Sequence, residues 1–232
     1  MIVLAIDTSG NVSSVAVVNE NEVIGEFTVN HRKTHSQTLM PMIDHLLTSI
    51  DIDISNVDYI ACSCGPGSFT GLRIGAATAK ALAHGIDRPI VPVPTLDALA
   101  YNIFEEKKLI VPIMDARRNQ VYSAVYSNED KHKFRISEYM AEDINILLEK
   151  IEKHDKQAVF LGDGTEIHKH LLQEMGHEIS TLSTRLQKGA SVGALAVKLI
   201  KEEKYVRYND FDIIYIRKPQ AEREYERKLK NV

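Results

Sequence analysis

Cysteine is scarce in this sequence, which contains only Cys62 and Cys64 among its 232 residues. Two cysteines separated by one residue cannot build a disulfide framework. A structural metal site would need further ligands close to them. We therefore predict that both are small buried residues of a protein kept in a reducing compartment.

Long apolar runs are missing as well. The first residues are apolar, but they lack a basic segment and lead directly to Asp7, which argues against a secretory signal peptide. No stretch approaches the ~18 apolar residues that a membrane-spanning helix needs. We expect a cytoplasmic protein that makes no membrane contacts.

The sequence also has no excess of positive charge. Its formal net charge is -4 and its pI is about 6.1, whereas proteins that bind nucleic acid alone usually carry a basic surface. Any contact with RNA is therefore expected to be indirect, with a partner supplying most of the cations. The 44% hydrophobic and 26% charged residues are typical of a soluble globular protein.

The apolar pattern predicts an α/β protein that begins with strands. Three strand-like runs, at residues 2–6, 12–18 and 23–29, are separated by turn residues. Apolar residues from Leu39 to Ile50 then recur at helical spacing, and Pro41 among them predicts a kink or a late helix start. A strand at 57–63 and a helix at 68–85 follow.

This pattern restarts near residue 110. Aligned without gaps, residues 2–17 and 110–125 pair Asp7 with Asp115 and Ala16 with Ala124. A strand at 159–161 and a helix at 189–201 fall in the second half. We interpret this self-similarity as a duplicated β-β-β-α-β-α unit. It predicts two lobes, 1–105 and 106–232, with the tail able to pack back on the first. By fold analogy, two such units match the actin-like and sugar-kinase-like superfamily.

A glycine-rich segment at residues 65–75 lies between a predicted strand and a predicted helix. It has neither the Gly-Lys-Ser/Thr of a Walker A loop nor the spacing of a dinucleotide-binding loop. Small residues continue every four positions at Gly71, Gly75, Ala79 and Ala83, and so share one helix face. That stripe fits either packing on the chain's own sheet or a helix–helix interface with another subunit.

Asp7 and Asp115, each at a predicted hairpin turn, could hold a hydrated magnesium ion or could simply form the turns. Asp115 is followed by Arg117 and Arg118 where a phosphate-binding loop would have glycines, which weakens the case for ATP hydrolysis. The Gly-Asp-Gly string at 162–164 fits either a contact with adenine or a plain strand-to-helix turn.

Histidine positions in the sequence do not predict a metal site. His31 and His35 are four residues apart, but no third ligand accompanies them. They, and also His168 and His170, are predicted to be solvated or capping residues. The sequence supports no catalytic constellation. The mixed charges at 218–230 are typical of a solvated helix face, with a docking tail as the alternative.

In order along the chain, these segments resemble the TsaB (YeaZ-like) family. The most specific are the glycine-rich segment 65–75 and the Asp-Ala-Arg-Arg string 115–118. The others are residues 5–9, 35–41, 96–100, 121–122, 162–164 and 215–222. The resemblance covers nearly the whole chain.

The resemblance implies an actin-like fold and a non-catalytic role. Such a protein would bind its catalytic paralogue TsaD directly, in a complex that also engages the ATPase TsaE. The complex would transfer a threonylcarbamoyl group to adenosine 37 of tRNAs that read codons beginning with A. This chain would hold no cofactor, since ATP and magnesium would be used through its partners. The alternative is a nucleotide-dependent phosphotransferase or ATPase of the same fold class.

The resemblance also implies where partners bind. Helices 36–50 and 68–85 would pair with TsaD or with a second copy of the chain. The expected interface residues are His35, Leu39, Met42, Ile43, Leu46, Phe69, Gly71, Leu72, Arg73, Gly75, Ala76, Ala79, Lys80 and Ala83. Residues expected to face a vestigial nucleotide site are Asp7, Thr8, Ser9, Asp115, Arg117, Gly162 and Gly164.

Overall fold

Two mixed β-sheets flanked by helices form two lobes in the computed structural model of the chain. The structure describes residues 1–31, 34–104, 107–128 and 134–217. The predicted lobe boundary at 105/106 and the tail at 218–232 lie outside the described residues. In the described part of the chain, no helix is both long and apolar enough to cross a membrane.

The first sheet has the strand order β3-β2-β1-β4-β5. Strands β1, β2 and β3 are antiparallel neighbours, while β1, β4 and β5 run parallel. Its elements are β1 (Val3–Asp7), β2 (Ser13–Val18), β3 (Val23–Val29), α1 (His35–Ser49), β4 (Tyr59–Ser63), α2 (Phe69–Gly85), β5 (Ile90–Val93) and α3 (Thr95–Ala100).

The second sheet repeats this arrangement as β10-β7-β6-β11-β12, with the short strands β8 and β9 attached. Its elements are β6 (Leu109–Asp115), β7 (Gln120–Ser123), β8 (Tyr126–Ser127), β9 (Phe134–Arg135), β10 (Met140–Asp143), α4 (Ile144–Glu152), β11 (Ala158–Leu161), α5 (Gly164–Ile167), α6 (Lys169–Glu174), β12 (Glu178–Ile179), α7 (Leu182–Arg185) and α8 (Gly189–Lys201). The first unit thus has a fifth strand and a third helix beyond the predicted pattern, and the described residues of the second unit form seven strands and five helices.

The gap-free alignment of the two units is wrong by one residue after the hairpin turn. Asp7 pairs with Ser14 across the first hairpin, whereas Asp115 pairs with Val121 across the second. The second turn is therefore one residue shorter than the first. Ala16 corresponds in the sheet to Ser123 rather than to the predicted Ala124.

The last helix of each unit packs towards the other unit's sheet. Helix α8 buries Val192, Ala196 and other apolar residues against strands β1 and β2 of the first sheet. Helix α3 buries Leu96 and Leu99 against strand β6 and its neighbours. The predicted division at 105/106 separates the two sequence repeats. It does not separate the two lobes as they pack, because α8, from the second repeat, packs on the sheet of the first lobe.

Helices α1 and α2 cover the opposite face of the first sheet. Leu39, Ile43 and Leu46 of α1 pack with Leu4 and Val17 of the sheet. The helix begins at His35 and contains Pro41, so of the two alternatives predicted from Pro41, a kink or a late start, the late start is wrong. Because proline has no N–H group, Pro41 cannot donate to the Gln37 carbonyl. Both residues lie on the exposed side of the helix, where water can bond that carbonyl.

Candidate functional site

The turn after β1 is buried and internally bonded. Asp7 is only 1% exposed, and its Oδ1 accepts hydrogen bonds from Ser9 N at 2.9 Å and from Ser9 Oγ at 2.6 Å. Burial raises the pKa of Asp7 above its usual value, and the two bonds from Ser9 oppose that shift. The structure therefore commits the Asp7 carboxylate to its own turn.

Helix α2 packs directly on this turn through its small residues. Thr8 Oγ1 donates to the Gly71 carbonyl at 2.7 Å. A Cβ atom at Gly71 would lie 2.0 Å from the Thr8 carbonyl oxygen, and one at Gly75 would lie 2.4 Å from Thr8 Oγ1. Ala79 and Ala83 are fully buried. The stripe thus serves packing within the chain, and its interpretation as a subunit interface does not hold.

Most of the other residues predicted for the partner interface also face the chain's own core. Leu39, Met42, Ile43, Leu46, Leu72 and Ala76 are buried. His35, Phe69, Arg73 and Lys80 retain some exposure. The outward faces of α1 and α2 instead carry Met40, Pro41, Asp44, Leu47, Thr70, Ile74, Ala77 and Ala81. Any partner of these helices would meet this second set first.

The histidines predicted to be solvated or capping divide into two groups. His31 and His170 are exposed, but His35 Nε2 bonds the Gly10 carbonyl at 2.9 Å and so carries the proton. His168 is buried, which rules out a solvated side chain, but it occupies the N-cap position of α6 without a side-chain capping hydrogen bond. Burial lowers its pKa. Within the described residues, no group of three His, Cys, Asp or Glu side chains could hold a metal ion.

The turn after β6 is built differently. Asp115 is exposed, and its Oδ1 accepts a hydrogen bond from Arg117 N at 2.7 Å. Arg117, Arg118 and Asn119 have φ values of 63°, 56° and 61°. Left-handed backbone is costly for residues other than glycine, so three in succession make a tight, strained turn. It presents arginines where a phosphate cradle would present glycine N–H groups.

The Gly-Asp-Gly string closes the second lobe beneath this turn. Cβ atoms at Gly162 and Gly164 would lie 2.1 and 3.1 Å from the Ile113 carbonyl oxygen, so both glycines pack against β6. Their placement fits a strand-to-helix turn. Asp163 Oδ1 accepts a hydrogen bond from Asp115 N at 3.2 Å, and burial raises the pKa of Asp163 to about 6.

A cleft of about 490 Å³ lies between the two turns. Its walls come from the first turn, the N-terminal end of α2, the second turn and residues 214–217. Of the two turn aspartates, Asp115 lines the cleft, together with Asp163, Arg117 and Arg217. The ionisable lining is thus balanced between two carboxyl groups and two guanidinium groups.

The C-terminal segment 214–217 runs along the cleft from the first lobe to the second. Ile214 N donates to the Cys64 carbonyl at 2.7 Å. The Tyr215 ring stacks on Phe69 at 5.0 Å, and Arg217 Nη1 donates to the Ala116 carbonyl at 2.8 Å. These contacts could not be predicted from the sequence, since no local pattern in 214–217 indicates what the segment touches.

Asp97 joins the lobes on the side of α3. Its Oδ1 accepts hydrogen bonds from the Tyr126 hydroxyl at 2.5 Å and from the Tyr139 hydroxyl at 2.9 Å. Burial, then the nearby Asp97 carboxylate, raises the pKa of both tyrosines. The two phenols therefore stay protonated and keep donating across the junction.

Comparisons with known proteins identify the family. The model of the family described as "TsaD: tRNA N6-adenosine threonylcarbamoyltransferase" matches residues 22–225. The tRNA threonylcarbamoyladenosine biosynthesis protein TsaB of Bacillus subtilis is 34% identical over 226 residues, which are 96% of each chain. The chain belongs to the TsaB family. The glycine-rich segment and the two turns described above are thus those of a TsaB family member.

Solved structures share the fold. A Pseudomonas aeruginosa protein described as similar to peptidase YeaZ superposes with a TM-score of 0.80 at 24% identity, covering 93% of this chain and 99% of that one. The activator of 2-hydroxyisocaproyl-CoA dehydratase from Clostridium difficile, solved with ADPNP, has a TM-score of 0.50 at 12% identity, with 100% and 98% covered. The predicted two-lobed actin-like fold of this TsaB family member is confirmed.

Proposed function

We propose that this chain is an accessory subunit of tRNA threonylcarbamoyladenosine biosynthesis that binds and activates the catalytic paralogue TsaD. The observation that carries this proposal is the 34% identity to the Bacillus subtilis biosynthesis protein across 96% of both chains. Identity along the full length covers both lobes, the cleft and the two long helices together.

The cleft supports a role without catalysis in this chain. A magnesium–nucleotide pair held between two aspartate turns would need both carboxylates in the cleft, yet Asp7 is buried and bonded to Ser9. The second turn offers arginines in strained backbone, and Arg217 ties the C-terminal segment to it. These residues do not fit a nucleotide well. We propose that TsaD and TsaE use the ATP and magnesium, that tRNA contact is indirect and that the complex works in the cytoplasm.

The outward faces of α1 and α2 are the proposed site for TsaD. Their inner faces pack against the first sheet, while Met40 on α1 and Ala77 on α2 are exposed. Small side chains such as Ala77 and Ala81, four residues apart, let a partner helix approach closely. A second copy of the chain could use the same face in the absence of TsaD.

A nucleotide-dependent phosphotransferase or ATPase is the second candidate. It is favoured by the interlobe cleft and by the ADPNP carried by the Clostridium difficile activator of this fold. It predicts magnesium-dependent ATP turnover by the isolated chain, with loss of turnover in Asp7→Ala.

Reconstitution separates the two functions. Threonylcarbamoyl transfer to tRNA would be measured with purified TsaD, TsaE, threonylcarbamoyl-adenylate and ATP, with and without this chain. We expect transfer to require the chain, while the chain alone neither modifies tRNA nor hydrolyses ATP. Equal transfer without the chain would refute the accessory role, and ATP turnover by the chain alone would support the second function.

A further inference from the structure

A groove at the carboxyl end of α1 has an apolar floor and an acidic rim. Its volume is about 510 Å³. The floor is made by Met40, Ile43, Leu47, Ile52, Ile54 and Leu82, and the rim carries Asp44, Asp51 and Asp53. Met40 is 48% exposed and so presents apolar surface to solvent at the groove. We call this feature the acidic groove.

The acidic groove has a net negative lining among the residues that the structure describes. None of the described residues that line the groove is basic. The carbonyl end of a helix is the negative end of its dipole and favours Lys or Arg in the last turn. The last turn of α1, which lies wholly within the described residues, contains neither. Hydrogen bonds from Ser55 lower the pKa of Asp53, which keeps that rim carboxylate ionised.

Lys80 and the histidines His45 and His84 of helices α1 and α2 contact aromatic rings of other elements. Lys80 Nζ lies 6.0 Å from the centroid of the Phe211 ring, and the His84 ring packs on Tyr208. His45 of α1 packs on Phe27 of strand β3. None of these rings lines the groove, and its negative charge is available to a partner.

We propose that the acidic groove binds a basic helix of the partner. An apolar side chain of that helix enters the groove, and Lys or Arg residues beside it on the same helix pair with the three aspartates. The inference rests on the proposed function, in which that partner is TsaD. It goes further by stating that the bound segment of the partner is basic. It also places the electrostatic contribution to binding at the carboxyl end of α1.

Charge argues against a second copy of this chain as the occupant. A two-fold interface places the same surface of each subunit against itself. Two copies paired about an axis at the groove would bring the aspartates of both grooves together, and like charges across an interface disfavour association. A basic partner is attracted instead, and that attraction weakens with salt.

Neutralising the rim tests the proposal. The variant Asp44→Asn/Asp51→Asn/Asp53→Asn keeps the side-chain size, and asparagine tolerates the φ of 55° at position 51. An asparagine in place of Asp53 can still accept the hydrogen bond from Ser55 N. Calorimetry with purified TsaD should show about tenfold weaker binding in 50 mM salt, and a smaller loss of affinity than wild type on moving to 300 mM salt.

The matched control is Glu149→Gln/Asp155→Asn/Glu203→Gln, which removes the same charge from exposed sites elsewhere, two of them at positive φ. It should bind TsaD as wild type does. If wild type fails to bind TsaD, the proposed function itself is refuted. If wild type binds and the rim variant binds equally well at both salts, only the groove proposal is overturned. A change confined to self-association, seen by sedimentation velocity, would overturn it in favour of a second copy.

Discussion

The two halves of the molecule share a strand order but have diverged outside their sheets. In the first half, α1 and α2 have 15 and 17 residues. Their counterparts in the second half are α4 with 9 residues, then α5 and α6 with 4 and 6. The strand order of the two sheets is the same, whereas the lengths of the covering helices differ. Among the described residues, a pair of long adjacent helices covers the first sheet, and the corresponding helices of the second half are shorter.

The turns after the first strand of each half differ in the same way. The first is stabilised by close packing of α2 on Thr8 and by the bonds from Ser9 to Asp7. The second holds Arg117 to Asn119 in left-handed backbone with an exposed Asp115. We infer that the first turn is a rigid base for α2, whereas the second turn is held by its own backbone and by the bond from Arg217.

Adding one methyl group to each half should give the largest difference. In Gly71→Ala, the new Cβ would meet the Thr8 carbonyl at 2.0 Å, so backbone must shift. We expect a loss of about 2–3 kcal/mol in the free energy of unfolding, measured with urea. In Gly164→Ala the corresponding contact is 3.1 Å, and the loss should stay below about 1 kcal/mol.

Gly85→Ala is the control for helix propensity. It lies on α2 with nothing within 4 Å of the added Cβ, so it should be neutral or slightly stabilising. If Gly71→Ala were as stable as this control, the close packing of α2 on the first turn would be wrong.

A charged side chain on each half's outer helix face tests the functional side of the comparison. Ala77→Arg puts a long cation on the exposed face of α2 and should weaken TsaD binding at least about thirtyfold, or ~2 kcal/mol, with unfolding unchanged. Ile146→Arg, at a site 46% exposed on α4, should bind as wild type. Equal losses in both variants would show that the partner does not distinguish the halves.

Asp163 provides a pH test of the second half. Its folded pKa of about 6 exceeds the reference value of 3.8, so its contribution to stability is fully present below pH 3.8 and is lost as pH rises to about 6. Asp163→Asn should remove that loss and raise the free energy of unfolding at pH 8 by roughly 1–2 kcal/mol. If Asp163→Asn raised the free energy of unfolding no more at pH 8 than at pH 4, the raised pKa of Asp163 would be contradicted.

His177 should give the smallest effect. Its ring packs on the buried Phe160, and burial lowers its pKa below 6.5. The stability it contributes is therefore present above pH 6.5 and falls as the pH drops through its folded pKa. His177→Phe should flatten that fall, as followed by thermal unfolding between pH 7 and pH 5. An unchanged slope would show that His177 is solvated when charged.

Much of the fold could be predicted because periodicity determines it locally. The strands β1 to β3 and the whole of α8 lie where their apolar patterns placed them. The register of the second hairpin could not be predicted, because a gap-free alignment hides a turn that is one residue shorter. The sequence does show that Arg117 to Asn119 differ from the residues of the first turn. It does not show that these three residues adopt left-handed backbone.

The candidate site was harder to predict than the fold. Helix α2 has small residues on two faces, Gly71 to Ala83 inside and Ala77 with Ala81 outside, and spacing cannot say which face the sheet covers. The burial of His168 and the path of residues 214–217 depend on contacts between distant parts of the chain. Such contacts leave no local pattern in the sequence.

The most direct test of the account compares the two regions in one assay. Threonylcarbamoyl transfer to tRNA by TsaD and TsaE would be measured with wild type, with Ala77→Arg on the helical face and with Asp115→Asn in the cleft. We expect that Ala77→Arg loses stimulation while Asp115→Asn keeps it. Full stimulation by Ala77→Arg together with loss in Asp115→Asn would contradict it and would place the function in the cleft.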